Sequence, residues 1–472
     1  MSKFPHDPTC GQRDACALMA HFLYHDDPRS LFLLKGYAGT GKTSLVSALI
    51  QTLPKLRVEP ILLAPTGRAA KVLSNYSGKI AYTIHKKIYT TFTDSSGSMR
   101  MVRSQNKHSY TLFIVDEASM IGLESMSSQR SLLEDLIDYV YEGNHCRLML
   151  IGDSAQLPPV GQLESPALDT RLLAANFTLN IMGCELTEVV RQGRQSGILE
   201  NATALRNQIT SLSQGEEAEL PVFSTQGYND VVRLMGEDLS DTLFTEYSSY
   251  QLEQVVVICR SNKRANLFNQ GIRNNILFRE GEINAGDYLM VTKNNYYWLD
   301  EDSSISFIAN GDIAEVMSVR NIQEMYGFRF ADASLRFVDY PDEDTRDCKL
   351  ILNTLWADTP ALSADDSNQL FHNVLEDYAD IPHKADRLRE LKRNPYYNAL
   401  QVKFAYGMTC HKTQGGQWKT VIIDQGYLGD NPVDCDYLRW LYTAFSRASD
   451  KVYLLNFDDR FFLDADPQHE ET

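Results

Sequence analysis

From Leu31 to about Gly152, short apolar runs alternate with amphipathic stretches: LFLL precedes TSLVSALIQTL, ILLA precedes GRAAKVLSNY, and TLFIV and LMLI follow. Runs apolar at every position predict strands covered on both faces, and the helical patterns between them predict the covering, so the segment reads as a parallel α/β sheet. The rhythm returns in VVVIC (255–259) followed by NKRANLFNQGIRNNI, then in TVIID (420–424) and KVYLLNF (451–457), which predicts a second core of the same kind. Two segments break it. YTTFTDSSGSMRMV (89–102) alternates about a Ser/Gly turn, the pattern of a β-hairpin inserted into the first core. From about Gly311 to Asn398 the chain is strand-like, then acidic and irregular, and reads as a small separate domain inserted into the second core.

The 472 residues are enough for two sizeable cores plus insertions. Apolar stretches all fall short of the roughly 18 residues that span a bilayer, and MSKFPHDPTC lacks the apolar centre of a signal peptide. A cytoplasmic protein without membrane association is therefore expected. The eight cysteines are scattered without CxxC or zinc spacing, which predicts reduced thiols and no structural metal. The net charge of −17 speaks against a polyanionic partner until its distribution is considered. Between Val338 and Asp380 eleven acids face two bases, a net −9, so more than half the excess is confined there and the rest can carry basic grooves.

GYAGTGKT (36–43) satisfies G-x-x-x-x-G-K-[ST] between a strand and a helix. Gly36, Gly39 and Gly41, with Thr40 between them, let backbone N–H groups wrap a phosphate; Lys42 reaches the β- and γ-phosphates and Thr43 holds Mg²⁺. ATP and Mg²⁺ are the implied substrate and cofactor. VDEASM (115–120) follows an apolar strand, so Asp116 stands where the metal is held, and Glu117 beside it can polarise a water, which favours hydrolysis over transfer. In IGDSAQLPPVG (151–161), Gln156 can sense the γ-phosphate, although read alone the segment is a proline-rich turn.

GYAGTGKT, LAPTGRAA, TIH, VDEASM, GDSAQLPPVG, ELTEVVRQ, YGMTCHKTQGGQW and LYTAFSRA occur here in the order found in superfamily 1 DNA helicases, and their wording resembles the RecD-like, Dda-like and Pif-like branch. The resemblance runs from about Thr9 to Phe457 and is weakest in the acidic insertion. It implies an α/β P-loop NTPase of two tandem RecA-like parallel-sheet domains, with a β-hairpin inserted in the first and a small SH3-like β domain in the second. The expected limits are 1–188 for the first core with the hairpin at 86–109, 189–310 and 399–463 for the second, 311–398 for the SH3-like insertion, and 464–472 for a disordered tail.

The resemblance also implies roles. Gln12 matches the glutamine that reads the adenine edge, and Arg191 and Arg447 match two arginines that reach the γ-phosphate from across the cleft, so hydrolysis would couple to closure between the cores. Pro65, Thr66, Gly67, Thr83 and His85 match strand contacts of the first core; Thr409, His411, Lys412, Thr413 and Gln414 match those of the second, with Gln414 and Gly415 also at the nucleotide. Such hydroxyls, N–H groups and few cations suit a groove that tracks a backbone and ignores sequence. Without the resemblance, His85 and His411 read as structural histidines. Phe92, with Met101, occupies the place of a strand-separating pin; packing of the hairpin onto the core explains Phe92 equally well. Departures from the pattern are small: Phe445 and Ser446 replace a smaller apolar residue and a threonine. Because the chain starts almost at Gln12, docking of nuclease subunits through a long N-terminal domain is not expected.

The expectation is thus an ATP-dependent helicase, monomeric, acting on single-stranded DNA and single/double-strand junctions and travelling 5′→3′. The rival is a single-strand translocase that displaces proteins without unwinding. A P-loop kinase or GTPase is a third, opposed by Glu117, Arg191 and Arg447.

Overall fold

The computed structural model describes residues 4, 7–25, 27–93, 99–123, 130–189, 196–298, 308–340, 343–428 and 433–462, with backbone alone from 91 to 101. In the first core the strands are β1 (Ser30–Gly36), β2 (Glu59–Ala64), β3 (Ala81–Thr83), β6 (Thr111–Val115), β7 (Arg147–Gly152) and β8 (Asn180–Leu186); β4 (Tyr89–Thr93) and β5 (Met99–Arg103) form a separate antiparallel hairpin. All pairings within the six-stranded sheet are parallel, in the order β3-β2-β6-β7-β1-β8. Its apolar strands are buried on both faces, between a cluster holding Leu33, Leu63 and Leu136 and another holding Phe22, Phe32 and Ile50. Because β1 lies between β7 and β8, the loops leaving β1, β6 and β7 open at one carboxyl edge, where ligands of parallel sheets bind.

Beyond the first core follow β9 (Val231–Leu234), β10 (Val255–Cys259), β11 (Tyr288–Val291), β12 (Ile313–Met325), β13 (Phe328–Phe337), β14 (Arg346–Ile351), β15 (Leu400–Phe404), β16 (Gly407–Thr409), β17 (Trp418–Asp424) and β18 (Ala448–Leu455). The second sheet is also wholly parallel, in the order β16-β10-β17-β18-β9.

The insertion is a closed barrel of β11 to β15, which fits the SH3-like module expected, with two differences. Tyr288–Val291 and Leu400–Phe404, which lie outside the expected 311–398 limits, are barrel strands, because closure needs them on either side of the long β12–β13 hairpin. The barrel is also not a separate unit: Leu289, Val316, Leu335 and Phe404 share one apolar cluster with Val257, Ile422 and Leu455 of the second sheet.

The acidic stretch is not irregular. Ala364–Glu376 is a helix whose N-cap Ser363 accepts the Asp366 N–H at 3.0 Å, and Lys384–Arg393 is another. Leu370, Val374 and Leu391 bury against Phe328, Phe330 and Ile351, while the acids stay on the outer face. All eight cysteines are free. Among the described residues no helix is long and apolar enough to cross a membrane.

Candidate nucleotide cleft and strand-facing segments

A cavity of about 460 Å³ opens where the carboxyl edge of the first sheet meets the second core. The first core lines it with Gly39, Gly41, Lys42, Thr43, Asp116, Glu117 and Gln156, and the second with Gly415, Gly416, Ser446 and Arg447. Gly39 and Gly41 take φ of +75° and +77°, a conformation that any Cβ would strain, so the loop turns into the helix Lys42–Thr52 only because both are glycine. The Lys42 ammonium folds back onto the Gly36 and Tyr37 carbonyls, the latter at 2.8 Å, and lies 3.9 Å from Asp153.

Asp116 accepts from the Tyr76 hydroxyl at 2.6 Å and from the Glu117 N–H at 2.8 Å. Glu117 has φ +51°, left-handed for a residue with a side chain, a conformation costing about 1–3 kcal/mol that tends to persist where function over-determines it. Burial raises its carboxyl pKa, opposed by Arg447, whose guanidinium lies 3.9 Å away, and reinforced by Asp116. Arg447 is held by the Thr443 and Gly416 carbonyls, each at 3.2 Å, and by the Ser446 hydroxyl at 2.9 Å. The Gln156 side-chain oxygen is buried without a partner at the cavity wall, an acceptor that a bound water or nucleotide group could satisfy.

Contacts between the cores bracket this wall. The Leu157 N–H donates to Thr443 Oγ1 at 2.8 Å, and its carbonyl accepts from Gln414 Nε2 at 2.6 Å. The Arg68 guanidinium stacks on Trp418 at 3.8 Å and donates to the Gln417 carbonyl at 3.2 Å.

Other expected residues fall differently. Gln12 is wholly buried and absent from the cavity lining: its Nε2 donates to the Thr40 carbonyl at 3.1 Å and its Oε1 accepts the Thr9 N–H at 3.1 Å, closing a capping box. Here it clasps the phosphate loop from behind. Gln414 likewise spends its amide between the cores, and Gly415 (φ +72°) packs so tightly that a Cβ would lie 2.9 Å from Ala69. Arg191 lies outside the described residues, as does the side chain of Phe92.

The strand-facing segments are less open than expected. Thr66 caps the helix Gly67–Ser77 by accepting the Ala69 N–H at 3.2 Å, beside a half-buried Pro65. Gly67 is covered, since a Cβ there would lie 2.6 Å from Asp312 Oδ1 and 2.8 Å from the Tyr340 hydroxyl. Thr83 is buried and caps the next helix through the Lys86 N–H; burial lowers the His85 pKa to about 4, so its imidazole is neutral near pH 7. Thr413 is wholly buried and donates to the Cys410 carbonyl at 2.7 Å. Each of these hydroxyls makes a local backbone bond: Thr66 and Thr83 as acceptors at helix N-termini, Thr413 as a donor. Thr409 and Lys412 are half-buried and His411 is exposed. The Lys412 ammonium has no hydrogen-bond partner, and burial, then repulsion from Lys403, lowers its pKa to about 8.

Sequence reasoning passed over Tyr76, Asp153, Tyr442 and Thr443. Asp153, Tyr442 and Thr443 lie inside GDSAQLPPVG and LYTAFSRA, so the motifs flagged the segments but not these side chains.

A family model described as an AAA domain matches residues 11–221, and one described as a UvrD-like helicase C-terminal domain matches 404–455. An uncharacterized protein of Acanthamoeba polyphaga mimivirus is 22% identical over 91% of this chain and 96% of its own length. The ATP-dependent RecD2 DNA helicase of Deinococcus radiodurans is 24% identical over 90% of this chain, and the ATP-dependent DNA helicase dda of Enterobacteria phage T4 is 31% identical over 43%. These matches span less than half of each helicase, 46% and 43%.

Proposed function

The chain belongs to the RecD/Pif1-like branch of the superfamily 1 helicases, and from that premise we propose that it hydrolyses ATP to travel along single-stranded DNA, 5′→3′, and to unwind duplex at junctions. One observation carries the reading: a single cavity joins a phosphate loop, an adjacent Asp–Glu pair and an unpartnered Gln156 oxygen on one core to a buried Arg447 on the other.

The loop amides and Lys42 bind the β- and γ-phosphates. Hard oxygen donors on the cavity wall suit Mg²⁺, with Thr43 and Asp116 as the residues that would hold it; when bound, it supplies neutralisation of phosphate charge. Glu117, its pKa raised by burial, accepts the proton of the attacking water. Gln156 orients that water against the γ-phosphate. Arg447 offsets charge gathering on the transferred group, an effect worth ~10³–10⁵ in rate for a guanidinium so placed. Arg447 belongs to the second core, so turnover requires the cores to be closed and product release lets them part. That alternation moves the strand. Lys412, whose buried ammonium has no partner, takes a backbone phosphate once uncovered, and Thr409, three residues before it, stands beside the same path. The barrel buttresses the second core through their shared interior.

The test is ATP hydrolysis with and without a single-stranded oligonucleotide, in the wild type and in Lys42→Ala. Strong stimulation in the wild type, absent from the variant, is the expected result; equal rates with and without oligonucleotide would overturn the reading.

A further inference from the structure

The second core reaches the phosphate loop at a point that Arg447 does not touch. Tyr442 sits on the helix Cys435–Phe445 with 1% of its surface exposed, yet both hydrogen bonds of its hydroxyl cross to the first core. It donates to Asp153 Oδ2 at 2.6 Å and accepts the Ala38 N–H at 2.8 Å. Asp153 in turn accepts the Ala155 N–H at 3.0 Å and stands 3.9 Å from the Lys42 ammonium. Ala38 belongs to the loop whose amides wrap phosphate. A phenylalanine would fill the same apolar space, so the buried oxygen is accounted for only by what it holds.

We propose that Tyr442 is a positioning residue for ATP hydrolysis: with the cores closed, its hydroxyl fixes the Ala38 peptide and turns Asp153 toward Lys42. The inference rests on the ATPase reading above. Closure then acts on the site twice. Arg447 arrives at one side, and the hydroxyl of Tyr442, five residues earlier, shapes the loop at the other. When the cores part, Ala38 and Asp153 are released together, and the loop loses the arrangement that holds Lys42 ready.

The test compares Tyr442→Phe, Asp153→Ala and the double variant with the wild type and Lys42→Ala. It measures single-strand-stimulated kcat, KM for ATP and thermal midpoint. Tyr442→Phe is expected to lower kcat roughly 10-fold with KM within about twofold and the midpoint kept, and the double variant to lose little beyond the worse single variant, as groups acting as a unit do. A kcat near the wild-type value would overturn the proposal. So would a lowered midpoint with raised KM, which is the signature of a loosened interface, or losses that multiply in the double variant. A wild type without stimulated turnover would overturn the ATPase reading and this proposal with it; a stimulated wild type with an indifferent Tyr442→Phe overturns this proposal alone.

Discussion

The nucleotide cleft and the strand-facing segments are built from loops of the same two sheets yet use their side chains in opposite ways. In the cleft, Lys42, Glu117, Gln156 and Arg447 project into one cavity. On the strand side, Thr66, Thr83 and Thr413 turn their hydroxyls back onto their own backbone, and Gly67 lies beneath Asp312 and Tyr340. Charge developing at a phosphate needs placed cations and carboxylates. A motor that ignores sequence needs a regular backbone and scattered cations, so its threonines can serve as caps. What separates the two regions is which side chains have a structural duty already.

The sharpest way to break that contrast is Arg447→Ala. Stimulated turnover should fall by ~10³ or more while nucleotide binding, followed by equilibrium titration, survives. Smaller in effect, Gly67→Ala should cost about 1–3 kcal/mol in denaturant unfolding, because the added methyl meets Asp312 and Tyr340. Loss of strand affinity without loss of stability would instead mean that Gly67 faces the strand. Lys412→Ala and Thr413→Val should part company. The first should weaken oligonucleotide binding and flatten its log–log salt slope by ~0.7, the share of one phosphate contact. The second should leave affinity unchanged and cost about 1 kcal/mol of stability, the worth of one hydrogen bond.

A pH-dependent effect concerns the cover over Gly67. Burial raises the Asp312 carboxyl pKa to about 8, above its ordinary 3.8, so the folded state holds a proton that the unfolded chain releases. That contribution is full below the ordinary value and is lost as pH rises through 8. Asp312→Asn should therefore gain on the wild type in thermal midpoint as pH rises from about 4 to about 8, since all other groups cancel in the difference.

Much of this was legible in the chain. Uniformly apolar runs gave both parallel sheets, because strands covered on two faces leave no polar alternation to confuse them. Motif order brought Lys42, Asp116, Glu117, Gln156 and Arg447 to one cleft although more than 400 positions separate the first and last. The extent of the barrel was not legible: Tyr288–Val291 and Leu400–Phe404 look like sheet strands, and only barrel closure assigns them. The helix Ala364–Glu376 hid behind its acids, since two apolar positions four apart are a faint signal, although Ser363 and the acids of its first turn marked its start. The burial of Gln12, Gly67, Thr83 and Thr413 was not legible for one reason: a motif identifies a residue type, while packing and capping decide how far it is covered. Tyr442 was missed because an aromatic inside an apolar helix reads as core, and only the distances to Ala38 and Asp153 show otherwise.

The central claim is that nucleotide turnover in this cleft drives travel along one strand. It is tested most directly by unwinding of matched forked duplexes bearing only a 5′ or only a 3′ single-stranded tail, with ATP and Mg²⁺, beside Lys42→Ala. Unwinding of the 5′-tailed duplex alone, lost in the variant, is the expected result. Unwinding of the 3′-tailed duplex alone would contradict the direction, and stimulated hydrolysis with neither duplex opened would contradict the helicase and leave a single-strand translocase in its place.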